Sequence, residues 1–513
     1  MLSCRQKRTA AMAAALAACG ARSGLLDPLQ SEISGESGSG GSGGSGGAAA
    51  GGSAASTGGK VGGGAASASG KVGGGGAGVA GSGQAGACSL PLEDCLAVEQ
   101  PECPGLRPRC EGRIEFHEVF ETNGYSYVND VATGPSGRAA ITGYHFGETF
   151  FGSRHFTTDS FPGGRREVAF VVSFDTAHAL EWVYQDPEQS HGVALAFAAN
   201  GDALVHARHL APSPTGAGIF PVNTLGQQLW RKDWGTSNLV PVGIAVDNDG
   251  HVWSTGNVYG RLGYPGSDLD APTAQQGYLL QTDSAGTLLQ ELFITPPSYG
   301  VSNVLDLQLD AEDAVITIGE GDTTDGRFSS FIRKFSASGA PLLLKELEAP
   351  LQLSRVVVDR RRRITLVGSF QGTFEHEGSR FESDVPTLLV AQYSSEGELL
   401  WRKTYAGPLE PTAAAVDRFD NLIIAVAGSA LALRDRLLVP EHGSSEAAFV
   451  LKLRADGSEV WARKLDGAVT LRGAATDASG RIWLGGNFDG EAWLDEDVLS
   501  SPNTTGLLVQ LSP

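Results

Sequence analysis

One short pattern recurs seven times along this chain: an apolar run, a tight turn, then a second apolar run. It is plainest in GIAVDNDGHVWSTGN, residues 243 to 257. Apolar runs joined by Asp, Asn and Gly read as two paired strands. One turn residue aligns across the repeats and is termed the slot: Gly137, Gly201, Gly250, Asp313, Arg362, Asp420 and Gly480. Successive slots lie between 49 and 64 residues apart. After a variable loop each unit adds a third strand, such as AFVVSF, YLLQT or FVLKL. A turn such as SASG or RADG and a fourth strand follow. That last strand carries Trp182, Trp230, Trp401 or Trp461 in four units, with Gln290 and Leu343 at the same offset in two others. A lone sheet of four short strands cannot cover its own apolar faces, so tandem copies stack. Repeats of this size predict the blades of a β-propeller.

The two ends of the repeat region fit each other. The seventh unit stops at Pro513 after its third strand, and a strand segment without a partner, EGRIEFHEVFE, precedes the first unit. In that segment Gly112 comes four residues before Phe116, as Gly226 does before Trp230. The expected fold is all-β: a seven-bladed β-propeller over residues 112–513, closed by an N-terminal strand that completes the last blade.

Composition sets the boundary on the N-terminal side. The first of the 39 aromatic residues is Phe116, and residues 34–87 are mostly Gly, Ala and Ser, with GKVGGG occurring twice. Such a segment cannot bury enough apolar surface to offset chain entropy. It is expected to be a disordered Gly/Ser-rich linker with a root-mean-square span of about 40 Å. The formal net charge of −20 excludes a phosphate-binding basic face, so no nucleic-acid partner is expected. It also disfavours electrostatic adsorption to anionic lipid.

Residues 1–18 have the layout of a secretory signal peptide. Arg5, Lys7 and Arg8 precede a short apolar run that is too short to span a bilayer. Its end, Leu16-Ala17-Ala18-Cys19, resembles the lipobox of bacterial lipoproteins. That resemblance implies cleavage before Cys19, acylation of its thiol and new amine, and membrane contact through lipid alone. Gly20 stands where that family uses Asp for inner-membrane retention, which implies an outer-membrane lipoprotein of the cell envelope, facing the periplasm or the cell surface. Residues 19–87 would then form a lipidated tether. The segment 88–111 holds Cys88, Cys95, Cys103 and Cys110. Four cysteines in an exported chain suggest two disulfides, in any of three connectivities. The alternative is zinc, but the close cysteine pairs that structural zinc uses are absent.

The stretches ITGYHFGETFFGSRHF, LVGSFQGTFEHEGSRF and LGGNFDGEAWLDEDVL resemble the seven-bladed propeller repeats of secreted bacterial lipoproteins. DNDGHVW and DASGRIW are similar to turns of streptogramin-lyase-like and sensor propellers, though two units of seven carry that form. These resemblances imply the fold and leave the activity open.

Antiparallel order sorts the connections by face. Short turns join strands one to two and three to four on one face. The longer loops, between strands two and three, emerge on the other. Loops on a rigid scaffold are the usual place for recognition. The candidate binding residues there are His145, Phe151, Arg154, His155, Tyr259, Arg261, Tyr264, Phe374 and His376, with Phe150 beside them. His206 and His209 sit three apart on a strand, which separates their rings. Asp247 and Asp249 belong to a turn, and Arg360 to Arg363 form a basic run on the short-turn face. No catalytic residue, metal or cofactor is implied. The expectation is a monomeric, lipid-anchored envelope protein that binds a protein or glycan through its long-loop face. The alternatives are a propeller lyase or hydrolase acting at the channel mouth, or a passive structural component.

Overall fold

The computed structural model describes residues 112–158, 166–211, 216–235, 239–348 and 351–513. The signal, tether and cysteine segments, with Cys19, Cys88, Cys95, Cys103 and Cys110, lie outside the described residues. The described residues form strands and turns without an α-helix, so no helix among them is long and apolar enough to cross a membrane.

Blade 1 pairs Tyr125–Thr133, Ala139–Phe146, Val168–Phe174 and Leu180–Gln185 in that order, and blades 2 to 5 repeat the arrangement. Their innermost strands are Gln189–Phe197, Leu239–Val246, Tyr299–Leu309 and Leu351–Val358. Blades 6 and 7 share one 18-residue strand, Glu459–Thr476. Its first part is the outer strand of blade 6 and its second part the inner strand of blade 7, with Gly467 between them at φ +98°. The middle strands are covered on both faces by neighbouring blades, so they read as continuous apolar runs. Val168–Phe174 and Ala447–Leu453, for example, are buried at every position.

Every slot has positive φ, from 61° at Asp313 to 88° at Gly201. The slot nitrogen donates to the carbonyl three residues earlier in all seven turns, for instance Gly250 to Asp247 at 3.0 Å and Arg362 to Asp359 at 2.8 Å. Left-handed backbone explains the four glycines and two aspartates there, and Arg362 adopts it as well. In five turns that earlier residue is an Asp whose Oδ1 accepts the nitrogens two and four residues on, as Asp477 does from Ser479 and Arg481.

The fourth-strand residue that is Trp in four units joins each blade to the next. The turn between strands three and four of the following blade lies on it. A Cβ at Gly226 would stand 2.9 Å from Trp182, one at Gly286 2.8 Å from Trp230, and one at Gly457 3.0 Å from Trp401. Gln290 meets Gly339 and Leu343 meets Gly397 in the same way. The indole nitrogens of Trp230 and Trp401 donate to Ser284 and Ala455 carbonyls at 2.9 and 3.0 Å. Trp461 packs on Gly112, and Phe116 stacks on His178 at 4.6 Å, so the series passes through the N-terminal strand and returns to blade 1.

The closing strand Ile114–Phe120 pairs antiparallel with Asp497–Leu511, from Ile114 opposite Leu511 to Phe120 opposite Gly506. The ring is therefore a seven-bladed propeller closed by its N-terminal strand. Residue 112 enters it on the short-turn face.

Candidate functional site in the lumen

Each innermost strand carries a β-bulge eight residues before its slot. The register slips between 128 and 130, 192 and 194, 241 and 243, 304 and 306, 353 and 355, 411 and 413, and 471 and 473. A bulge re-aims side chains beside it. Four charged residues stand at these bulges: Asp130, Asp306, Arg355 and Arg472. Most other bulge positions hold small or apolar residues, such as Val193, Val242, Ala413 and Gly473.

The two carboxylates are bound alike. Asp130 accepts from the nitrogens of Val131 and Leu195, both at 2.8 Å, and Asp306 from those of Leu307 and Val356, both at 2.9 Å. Leu195 and Val356 belong to the following blade, so each carboxylate also ties two blades together. Burial pushes Asp130 up to about 7, against the opposing effect of its two main-chain hydrogen bonds, and Asp306 rises for the same reason.

Arg355 lies across the lumen. Its Nη1 donates to Ser354 O at 2.8 Å, and its Nη2 reaches past blade 6 to Arg472 O in blade 7 at 3.3 Å. Among the described residues no carboxylate comes within 4 Å of its guanidinium. Arg472 donates from Nε to Asn487 Oδ1 at 3.2 Å, and its guanidinium stands over the Tyr127 ring at 5.9 Å. A stacked column continues outward to blade 2. Tyr127 lies on Tyr144 with centroids 5.0 Å apart, and Tyr144 on His191 at 3.7 Å. His191 Nε2 meets Glu167 Oε2 at 2.6 Å, and the Tyr125 hydroxyl donates to the other Glu167 oxygen. Glu320, in blade 4 near the same opening, is pushed up to about 7 by burial.

These groups surround the opening on the long-loop face. Six of the seven residues ten positions before a slot can hydrogen bond: Tyr127, His191, Asn303, Gln352, Glu410 and Thr470, with Val240 the exception. The result is a funnel with a hydrogen-bonding wall and an arginine floor. Sequence reasoning passed over these side chains because they lie within blade-forming strands. Their signal was polar, aromatic or charged residues seven, eight and ten positions before the slots.

The loop residues named from sequence divide by burial. His145, Phe151, Tyr264, Phe374 and His376 are buried. The long loops of blades 1, 5 and 7 fold as extended β-hairpins whose inner faces join the blade cores. Phe151 packs on Phe120 and Phe170, and Phe374 on Phe370. Tyr264 donates to Gly286 O at 2.7 Å. His145 and His376 are each lowered to about 4 by burial. Arg154, His155, Tyr259 and Arg261 are exposed, as is Phe150, which stacks on His155 at 4.7 Å.

The remaining candidates are engaged internally. His206 is buried with Nδ1 donating to Gly243 O at 3.1 Å, whereas His209 turns to Asp233 at 2.7 Å. Arg360 and Arg361 pair with Asp420, Arg362 with Glu312 and Arg363 with Asp359. Glu441, His442 and Asp466 lie close together, but Lys464 Nζ stands 3.0 Å from Glu441 and 2.9 Å from Asp466 and supplies the positive charge. A shallow depression of about 310 Å³ on the short-turn face is lined by residues that include Asn248, Asp310, Asp313 and Asp359. Its polar groups are likewise paired, Asn248 with Asp313 and Asp310 with Lys334.

No protein-family model matches the chain, and no curated protein sequence matches it. Among solved structures it is similar to a streptogramin B lyase, with 10% identity and a TM-score of 0.41 over 77% of this chain and 97% of that one. It is also similar to YCF48 bound to a D1 peptide, with 9% identity and a TM-score of 0.40 over 79% and 98%. A gluconolactonase from Xanthomonas campestris gives 12% identity and a TM-score of 0.35 over 79% and 99%. The architecture of this chain rests on its own sheets, registers and closure.

Proposed function

We propose that this protein is a recognition module of the cell envelope, lipid-anchored through Cys19, that binds a protein or glycan on the long-loop face of its propeller. The observation that carries the reading is the polar funnel. One end of the lumen is walled by hydrogen-bonding side chains and floored by Arg355, and rigid hairpins raise its rim. Concave sites with a few fixed polar groups are where ligands bind.

Two measurements test this. Metabolic labelling with a radioactive fatty acid should mark the wild-type chain and not Cys19→Ala. Capture from envelope extracts by the full chain should retain a component that Gln352→Ala combined with Tyr259→Ala releases. Capture that survives those changes, or is lost on altering the short-turn face instead, moves the site elsewhere.

A second reading has one observation in its favour. Asp130 and Glu320 are both held near neutrality, where a carboxyl can exchange protons with a substrate. Turnover of a captured component that stops in Asp130→Asn would favour the enzyme reading.

A further inference from the structure

Resting on the funnel as the binding site, we infer that its ligand is an acidic saccharide whose carboxylate sits on Arg355 and Arg472. Arg355 uses two of its five N–H donors on main-chain carbonyls, at 2.8 and 3.3 Å, and has no carboxylate within 4 Å among the described residues. The main chain of Arg472 is one of those acceptors, which brings blade 7 and its second arginine to the same part of the lumen. Tyr127 on one side and Asn487 on another hold that second guanidinium in place. Planar guanidinium forks match a carboxylate in two-point geometry.

Asp130 and Asp306 share this layer and feel the charge of Arg355 through space, but their four oxygens accept from main-chain nitrogens and make no direct contact with its fork. Above the floor the wall offers phenol, amide and hydroxyl groups from Tyr127, Asn303, Gln352 and Thr470. That lining suits a ligand dense in hydroxyls, whereas a peptide would call for apolar side-chain pockets. The chain carries a net charge of −20, so the overall field does not draw an acid in. Preference for one must come from local contact with the two arginines.

The test uses the full chain with three probes: tri-galacturonate, the neutral galactose trisaccharide and sodium sulfate, titrated by calorimetry. Tri-galacturonate should bind about ten-fold or more tightly than the neutral sugar, the size expected for a charge-assisted pair. Arg355→Gln and Arg472→Gln should each abolish that difference. Should either variant fail to fold, arginine modification of the wild-type chain by phenylglyoxal provides the readout, with tri-galacturonate protecting both residues.

Equal affinity for the two sugars, an acid preference that persists in both variants, or no binding of either sugar overturns the inference. Sulfate competing as well as the trisaccharide overturns the saccharide part. If envelope capture depends on the funnel while tri-galacturonate fails to bind, this inference falls and the recognition function stands.

Discussion

The main-chain nitrogen of Ser512 donates to Arg113 O at 2.8 Å, and the nitrogen of Arg113 donates back to Ser512 Oγ at 3.0 Å. These residues, 399 positions apart, occupy the place of a strand-three to strand-four turn whose chain is interrupted. The closing strand carries Phe120, fully buried against Phe151 and Phe170 of blade 1. Phe120→Ala should cost about 3–5 kcal/mol in a urea titration, as for a buried phenylalanine that leaves a cavity. A cost under about 1 kcal/mol would mean that the joint carries little of the ring's stability.

Lys452 and Asp417 make an ion pair at 2.9 Å with both side chains inaccessible. Burial lowers the lysine pKa, and Asp417 pulls it back up. Lys452→Ala would leave Asp417 buried without its partner, a loss of about 3–5 kcal/mol. Replacing Lys334, which pairs with Asp310 in blade 4, should behave alike. Thermal unfolding of the two variants checks both.

Glu320 has a folded pKa of about 7 through burial, above the ordinary 4.5. Its folded form therefore holds a proton that the unfolded chain releases earlier. The associated stability is complete below about pH 4.5 and is lost as pH rises through 7. Glu320→Gln should be more stable than wild type at pH 8, by on the order of 1–3 kcal/mol, and close to it at pH 5. Chemical denaturation at the two pH values measures the difference.

His206 is lowered to about 3 by burial, although its bond to Gly243 O works the other way. It is neutral in the fold and charges on unfolding below about pH 6.5, so its contribution is intact above that pH and declines under it. His206→Asn keeps a donor for the Gly243 carbonyl. The variant should show a shallower loss of stability between pH 6 and pH 4 than wild type, whatever it loses at pH 7 through ring packing on Trp234.

Trp401→Ala removes one inter-blade contact and its hydrogen bond to Ala455. About 2–3 kcal/mol is expected, below the range for a fully buried tryptophan. Gly457→Ala adds a Cβ 3.0 Å from that indole at φ +81°, and should cost at least the roughly 1–2 kcal/mol of a left-handed residue. Differential scanning calorimetry of both resolves the order.

Blade number and closure were legible in the sequence because one requirement recurs in every unit. Gly137, Asp313 and Arg362 look unalike, yet each turn needs a left-handed residue at that place, and the apolar runs around it survive. The offset of Phe116 from Gly112 revealed the joint for a similar reason: the contact between Trp461 and Gly112 is one of seven equivalents. The funnel was harder to see. Strand reading assigns Tyr127, Arg355 and Arg472 to inner strands, but their aim depends on a bulge that simple strand alternation does not show. The aromatic loop residues misdirect in the other direction. Phe151 and Phe374 sit in segments long enough to form hairpins, and a hairpin has an inner face that folds them onto the blade cores.

The direction of the closing strand has a mechanical consequence. Residue 112 lies at one face, and Phe120 ends near the other, so a pull exerted through residue 112 against a load held on the far face acts along Ile114–Phe120. Its hydrogen bonds to Asp497–Leu511 are then strained together in shear, where an oblique pull would peel them one at a time. The joint that seals the ring is set in the orientation that resists rupture best.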